Sequence, residues 1–173
     1  EDAYLTGYAM TVIGDVEEDL LGTGYSLQHK PGAEIGGDLL FTGFQALLDG
    51  DVGDRVRIAG NSVRLAGSIG GDAGVNVGGA EQGEMMPPFS SFMPMVPSVP
   101  TIPGGLTVTE SAEIAGDLNY TANAPIDVPS GTVAGETDFT EYVPETREQE
   151  EPERGPGWQA LKWLFKQLRR LVT

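Results

Sequence analysis

The sequence predicts an all-β chain wound as a parallel β-helix, a β-solenoid with three short strands per coil, followed by a C-terminal amphipathic α-helix. Three observations predict it. A phrase of the form apolar, Gly, Gly or acidic, Asp, apolar recurs at a nearly constant step; the runs between phrases alternate apolar and polar residues; and glycine is abundant, at 25 of 173 residues, without a collagen triplet.

The phrase reads Ile13-Gly14-Asp15-Val16, Ile35-Gly36-Gly37-Asp38-Leu39, Val52-Gly53-Asp54-Arg55-Val56 and Ile69-Gly70-Gly71-Asp72-Ala73, so its leading residue advances by 22, 17 and 17 positions. Ile114-Ala115-Gly116-Asp117-Leu118 and Val133-Ala134-Gly135-Glu136 echo it with a step of 19. Seventeen residues accommodate three strands of about five residues and three corners, which is one coil. Glycine suits the corners, where neighbouring backbones approach closely. Hairpins stacked into a sandwich or barrel are the alternative, but they favour two-residue Asn-Gly or Asp-Gly turns at less regular spacing.

In order along the chain, Tyr4 to Ile13 predicts a first strand, entered without a leader helix and leaving an open sheet edge. Period-two alternation then marks Arg55 to Ile58, Ser62 to Leu65 and Val75 to Val77 as half-buried strands. The β-helix runs over 1–84 and resumes over 106–140. Between them, 85–105 holds six prolines and four of the five methionines. Proline cannot donate to a ladder, so this insertion is an extended, polyproline-like excursion. It either lies along the flank and covers apolar surface, or presents Met85, Met86, Phe89, Phe92, Met93, Met95 and Val96 as an adaptable partner contact.

Residues 141–157, with repeated Glu and Pro, predict a solvated linker. The stretch 158–173 predicts a helix with Trp158, Leu161, Leu164, Phe165, Leu168, Leu171 and Val172 on one face. Lys162, Lys166, Arg169 and Arg170 gather on the other, with Trp163 toward the basic side. The chain carries −16 overall; residues 1–157 hold all 26 acids and six of the ten bases, and the tail is +4. Such a helix suits an anionic membrane surface, with docking on the protein's own body as the alternative.

The acidic body argues against nucleic acid as a partner, because phosphate binding needs clustered Lys and Arg. Without cysteine there is no disulfide, thiolate nucleophile or Cys-ligated metal. The chain begins with Glu1 rather than Met, so a removed signal peptide, a removed tag or a longer parent is expected. No run of 18 apolar residues exists to span a bilayer.

The Ile-Gly-Gly-Asp-Leu type phrases at 35–39, 69–73 and 114–118, together with Val63-Arg-Leu-Ala-Gly-Ser-Ile-Gly-Gly, resemble the bactofilins, the polymer-forming cytoskeletal proteins. The resemblance covers about 13–78 and 106–137. It implies a right-handed, three-sided β-helix that joins end to end into nucleotide-free filaments and acts as a membrane-associated scaffold. The apolar insertion and the basic tail look more like membrane-anchored relatives with a bactofilin-like outer domain.

No nucleophile elbow, phosphate loop or zinc-binding helix is present, so the expectation is not an enzyme, with no cofactor, metal or small-molecule substrate. His29, beside Lys30-Pro31-Gly32, is expected in an exposed loop. In-register coils would stack Asp15, Asp38, Asp54, Asp72 and Asp117 about 4.8 Å apart, where like charges raise one another's pKa or recruit a cation, unless each carboxylate bonds corner backbone. The expected function is a self-assembling scaffold, as a homo-oligomer or filament, associated with a membrane. The extracytoplasmic face is favoured if a signal peptide was removed. The alternative is a membrane-anchored module that recruits a protein or glycan through a flank or the 85–105 arm.

Overall fold

The computed structural model describes residues 1–80, 82–83 and 97–144. The contact residues expected at 85–96 and the helix expected at 158–173 lie outside them. The strands are Ala3–Val12 (β1), Leu20–His29 (β2), Glu34–Ile35 (β3), Leu39–Leu48 (β4), Asp51–Val52 (β5), Val56–Ala59 (β6), Ser62–Leu65 (β7), Ser68–Ile69 (β8), Ala73–Asn76 (β9), Gly105–Val108 (β10), Glu113–Ile114 (β11), Leu118–Ala122 (β12) and Thr137–Glu141 (β13). Every pairing among them is parallel, which sets aside the sandwich or barrel built from hairpins.

The register defines a β-solenoid of about seven turns with three ladders. The first ladder stacks Ala3, Leu20, Leu39, Val56, Ala73, Leu118 and Thr137, so the coil step is 17 or 19 residues except across the insertion. The second uses the C-terminal halves of β1, β2 and β4, then β7 and β10. The third joins β3, β5, β8 and β11, with single bridges Val16–Ile35 and Ile114–Val133 at its ends.

Alternation explains which side chains enter the core. From the first ladder Leu20, Leu39, Val56, Ala73 and Leu118 are buried, and two residues on Phe41, Ile58, Val75 and Tyr120 are buried as well. The third ladder adds Ile35, Val52, Ile69 and Ile114, the leading residues of the repeated phrase. Each buried aliphatic therefore rests on its equivalent one coil away, about 4.8 Å off, and a full burial of this kind is worth roughly 1.5–3 kcal/mol.

The first phrase is displaced by three residues from its expected position. Ile13 is 79% exposed, and Val16 pairs with Ile35 instead. The unit equivalent to Ile35-Gly36-Gly37-Asp38-Leu39 is thus Val16-Glu17-Glu18-Asp19-Leu20. Its two glycine positions are filled by glutamates, while Ile13-Gly14-Asp15 imitates the phrase at the preceding corner.

Between the first and second ladders the chain bends at Gly7, Gly24, Gly43 and Gly60. A Cβ on Gly24 or Gly43 would overlap the carbonyl oxygen of the glycine one coil before it. The tight corner aligns the residues that follow, so Tyr8, Tyr25 and Phe44 stack face to face with ring centroids 4.7 Å apart at both steps.

The excursion leaves the solenoid after β9 and returns at β10. On its return, residues 97–104 lie on the outer side of the second ladder and bury Val99 and Ile102. Gln45 Nε2 donates to the Pro100 carbonyl (2.8 Å) and to Ser26 Oγ (2.9 Å), which accounts for the burial of two polar residues on an outward-facing column. After β12, residues 123–132 continue as a loop rather than a strand, with Ile126 and Val128 packed on the core and the Ile126 N–H bonded to Tyr120 Oη (3.2 Å).

Gly43→Ala should lower stability by about 1–3 kcal/mol, as overpacking does, while Gly14→Ala, which meets nothing within 4 Å, should stay within about 0.5 kcal/mol of the parent. Denaturant unfolding of both variants measures it; equal effects would contradict the corner packing.

Candidate functional site

Three surfaces are candidates: the acidic corner before the first ladder, the outer face of that ladder, and the strap at 97–104. The acidic corner is built by the phrase itself. The residue preceding each first-ladder strand is Asp2, Asp19, Asp38, Arg55, Asp72, Asp117 and Glu136 in successive coils, by the register of the residues that follow them. Of the expected column, Asp38, Asp72 and Asp117 belong to it. Asp15 does not; it precedes Val16 and stands over Glu34, whose N–H it accepts (3.3 Å). Asp54 does not either, since it exchanges backbone bonds with Gly37 and Gly71. Its neighbour Arg55 takes the column position.

The carboxylates in this column are acceptors for the next coil. Asp38 N–H donates to Asp19 Oδ1 (2.8 Å), Arg55 N–H to Asp38 Oδ1 (2.9 Å), Asp117 N–H to Asp72 Oδ1 (2.9 Å) and Glu136 N–H to Asp117 Oδ1 (2.8 Å). Each bond satisfies a backbone donor where the ladder has not yet begun. The Asp side chain fits because it is short enough to reach one coil along the axis.

Arg55 interrupts the acids and pairs with Asp38, Nη2 to Oδ2 at 2.7 Å. The backbone N–H of Arg55, then its guanidinium, then the charge of Arg57 hold the Asp38 carboxyl below the usual carboxylate range, the reverse of the rise expected for stacked like charges. Both side chains of the pair are substantially exposed, so solvent screening leaves the ion pair itself little net contribution to stability. The arrangement tethers coils; among the described residues no three acidic or imidazole groups converge on a common point.

His29 differs most from expectation. It is the last residue of β2, fully buried, and its column is Val12, His29, Leu48, Leu65 and Val108. The Lys30-Pro31-Gly32 that follows is indeed a corner, with Gly32 at φ 81°, but strand alternation turns the imidazole inward just before it. Gly50 leaves room for the ring: a Cβ there would come within 2.7 Å of His29 Nε2. Neither ring nitrogen completes a hydrogen bond of full geometry among the described residues, although the Ala33 backbone lies near enough to favour the charged ring. Asp49 is engaged by Arg64 (2.6 Å) and Asp51 accepts from the Ser68 N–H (3.3 Å). Burial therefore lowers the His29 pKa from 6.5, with the Ala33 backbone and the Asp51 and Asp49 charges offsetting part of it.

The outer face of the first ladder carries two parallel columns. One reads Tyr4, Leu21, Leu40, Arg57, Gly74, Asn119, Asp138, and the other Thr6, Thr23, Thr42, Ala59, Asn76, Thr121, Thr140. Between them runs a shallow groove, about 460 Å³ at the apolar end, where Tyr4 is 73% and Leu40 46% exposed, and about 380 Å³ around Gly74. Period-two reading could have found both columns once the register was known.

The described residues thus define an acidic parallel β-solenoid with one flank covered by its own chain and another open. No family model, no curated protein and no solved structure matches the chain.

Because the folded His29 pKa is depressed, the unfolded chain binds the extra proton first. The cost of burying the imidazole unprotonated is smallest above pH 6.5, and stability is lost as pH falls below that value toward the folded pKa. His29→Leu should remove this dependence and stabilise by about 1–3 kcal/mol, because two ring nitrogens without a full hydrogen bond leave an apolar column. Thermal melts of both proteins between acid and neutral pH test it; a parallel pair of curves would refute the assignment.

Proposed function

We propose that this protein is a structural scaffold, a bactofilin-like, right-handed and three-sided β-helix that assembles with copies of itself beside a membrane. Supporting the family reading are the parallel coils of 17 or 19 residues and the Gly-Asp corner phrase that closes them. The single observation that carries self-assembly is β1. Its ten residues, Ala-Tyr-Leu-Thr-Gly-Tyr-Ala-Met-Thr-Val, contain neither charge nor proline, and among the described residues it has a ladder partner on one side, β2. Strand edges that must stay unpaired usually carry charges, prolines or bulges. In this reading a second copy supplies the next strand, and the apolar column Tyr4, Leu21 and Leu40 beside that edge adds side-by-side contact.

The membrane component rests on the sequence of 158–173, in which Trp158, Leu161, Lys162, Trp163, Leu164, Phe165, Lys166, Leu168, Arg169, Arg170 and Leu171, at helical spacing, would pair an apolar face with a cationic one. Attraction to anionic lipid offsets the repulsion between the acidic body and the same surface only if the tail stands clear of it, a distance that the acidic, proline-bearing sequence after β13 would supply in this reading.

Sedimentation velocity of the full chain over about a hundredfold range of concentration should show concentration-dependent growth. Thr11→Pro should abolish it. Val12 O accepts from the Lys30 N–H (3.0 Å), so by ladder alternation the neighbouring Thr11 N–H points away from β2 and is dispensable to the fold. Ala9→Lys is the second variant, placing a charge on the same edge. A parent chain that stays monomeric throughout would end the proposal. Flotation of the parent with anionic but not neutral vesicles is expected in the same preparations, and equal flotation with both would remove the electrostatic part.

A further inference from the structure

The strap at 97–104 has a periodicity of its own, distinct from that of the solenoid. Pro97, Pro100 and Pro103 recur every third residue, and over 97–103 so do the buried positions: Val99 is 6% and Ile102 8% exposed, while Pro97, Ser98, Pro100, Thr101 and Pro103 are all exposed; Gly104, where the chain re-enters the ladder, is buried as well. An extended strand would bury every second residue. A repeat of three is the twist of polyproline II, which has three residues per turn and no internal hydrogen bonds. One of its three edges, Val99 and Ile102, is seated on the solenoid. The prolines form a second edge, and Ser98 and Thr101 the third, both facing solvent.

The strap is also pinned. Gln45 holds the Pro100 carbonyl (2.8 Å), Gly83 N–H donates to the Gly104 carbonyl (2.9 Å), and Gln82 Nε2 donates to the Leu106 carbonyl (2.9 Å) where the chain re-enters the ladder. Polyproline segments usually pay part of their binding free energy to become ordered, and here the ordering is already done by the fold.

We propose that Pro97, Pro100 and Pro103 form a preorganised recognition ridge for a protein that reads polyproline II with an aromatic-lined groove. Such grooves take prolines spaced by three residues and the residue beside each, and both exposed edges of the strap have that spacing. The apolar edge, which a free peptide of this sequence would also offer, is spent on anchoring. The partner's specificity is thereby confined to the proline and hydroxyl edges.

An isolated WW domain and an isolated SH3 domain are suitable probes, titrated with the full chain by fluorescence or calorimetry. At least one should bind with a Kd of about 100 µM or tighter. Pro97→Ala with Pro100→Ala should weaken binding about tenfold or more, since each loses a ring and keeps its carbonyl. The free peptide 97–103, and the full chain carrying Ile102→Asp to detach the strap, should each bind about tenfold more weakly than the parent. Thermal melts of the variants separate loss of the ridge from loss of the fold. No binding by either probe would overturn the proposal, as would undiminished binding by the proline variant. A free peptide that bound more tightly than the full chain would show that anchoring hides the prolines rather than presenting them, and would overturn it equally.

Discussion

Parallel stacking in strict register is the constraint on which everything else in this molecule depends. Because each residue of one coil lies about 4.8 Å from its equivalent in the next, a single choice of side chain is repeated along the whole axis, and its consequences are repeated too. Leu20, Leu39, Val56, Ala73 and Leu118 are one such choice, and Ile35, Val52, Ile69 and Ile114 another. Aspartate at the corner is the polar counterpart. It would be unfavourable as a bare column of charge, and it is stable here because each carboxylate accepts the backbone N–H of the following coil and Arg55 stands among the acids.

The same constraint makes departures from the repeat informative. A solenoid needs only its ladders, so anything added between strands must find a place outside them. The excursion between β9 and β10 does this by laying 97–104 over the outer side of the second ladder, where Gln45 and Ser26 form a buried polar pair that would otherwise face water. His29 is a departure in the other direction, a titratable ring admitted into an apolar column because Gly50 makes room for it. Both cost local regularity and both change what the flank or the core can do.

In the proposed scaffold role these features have a common logic. Apart from His29 the stacked interior is apolar, so recognition falls to edges and flanks. On the described residues one flank offers an uncovered groove between an apolar and a threonine column, and another offers a proline ridge held in place by the coils beneath it. A solenoid holds such surfaces in fixed positions relative to its axis, which suits the proposed role.

How much was legible in the sequence can be judged residue by residue. The 17-residue step from Ile35 to Val52 to Ile69, and the alternation of Arg55 to Ile58 and Ser62 to Leu65, are properties of the chain alone. They determine the solenoid, because a period that buries one aliphatic per coil leaves few other folds open. The sequence did not determine the register of the first coil, since Ile13-Gly14-Asp15 and Val16-Glu17-Glu18-Asp19 are both plausible phrases and only the pairing of Val16 with Ile35 separates them. Nor did it determine that His29 is inside or that Val99 and Ile102 are covered. Those facts depend on which side of a strand faces the axis and on what surface a distant coil presents, and tertiary packing alone decides either.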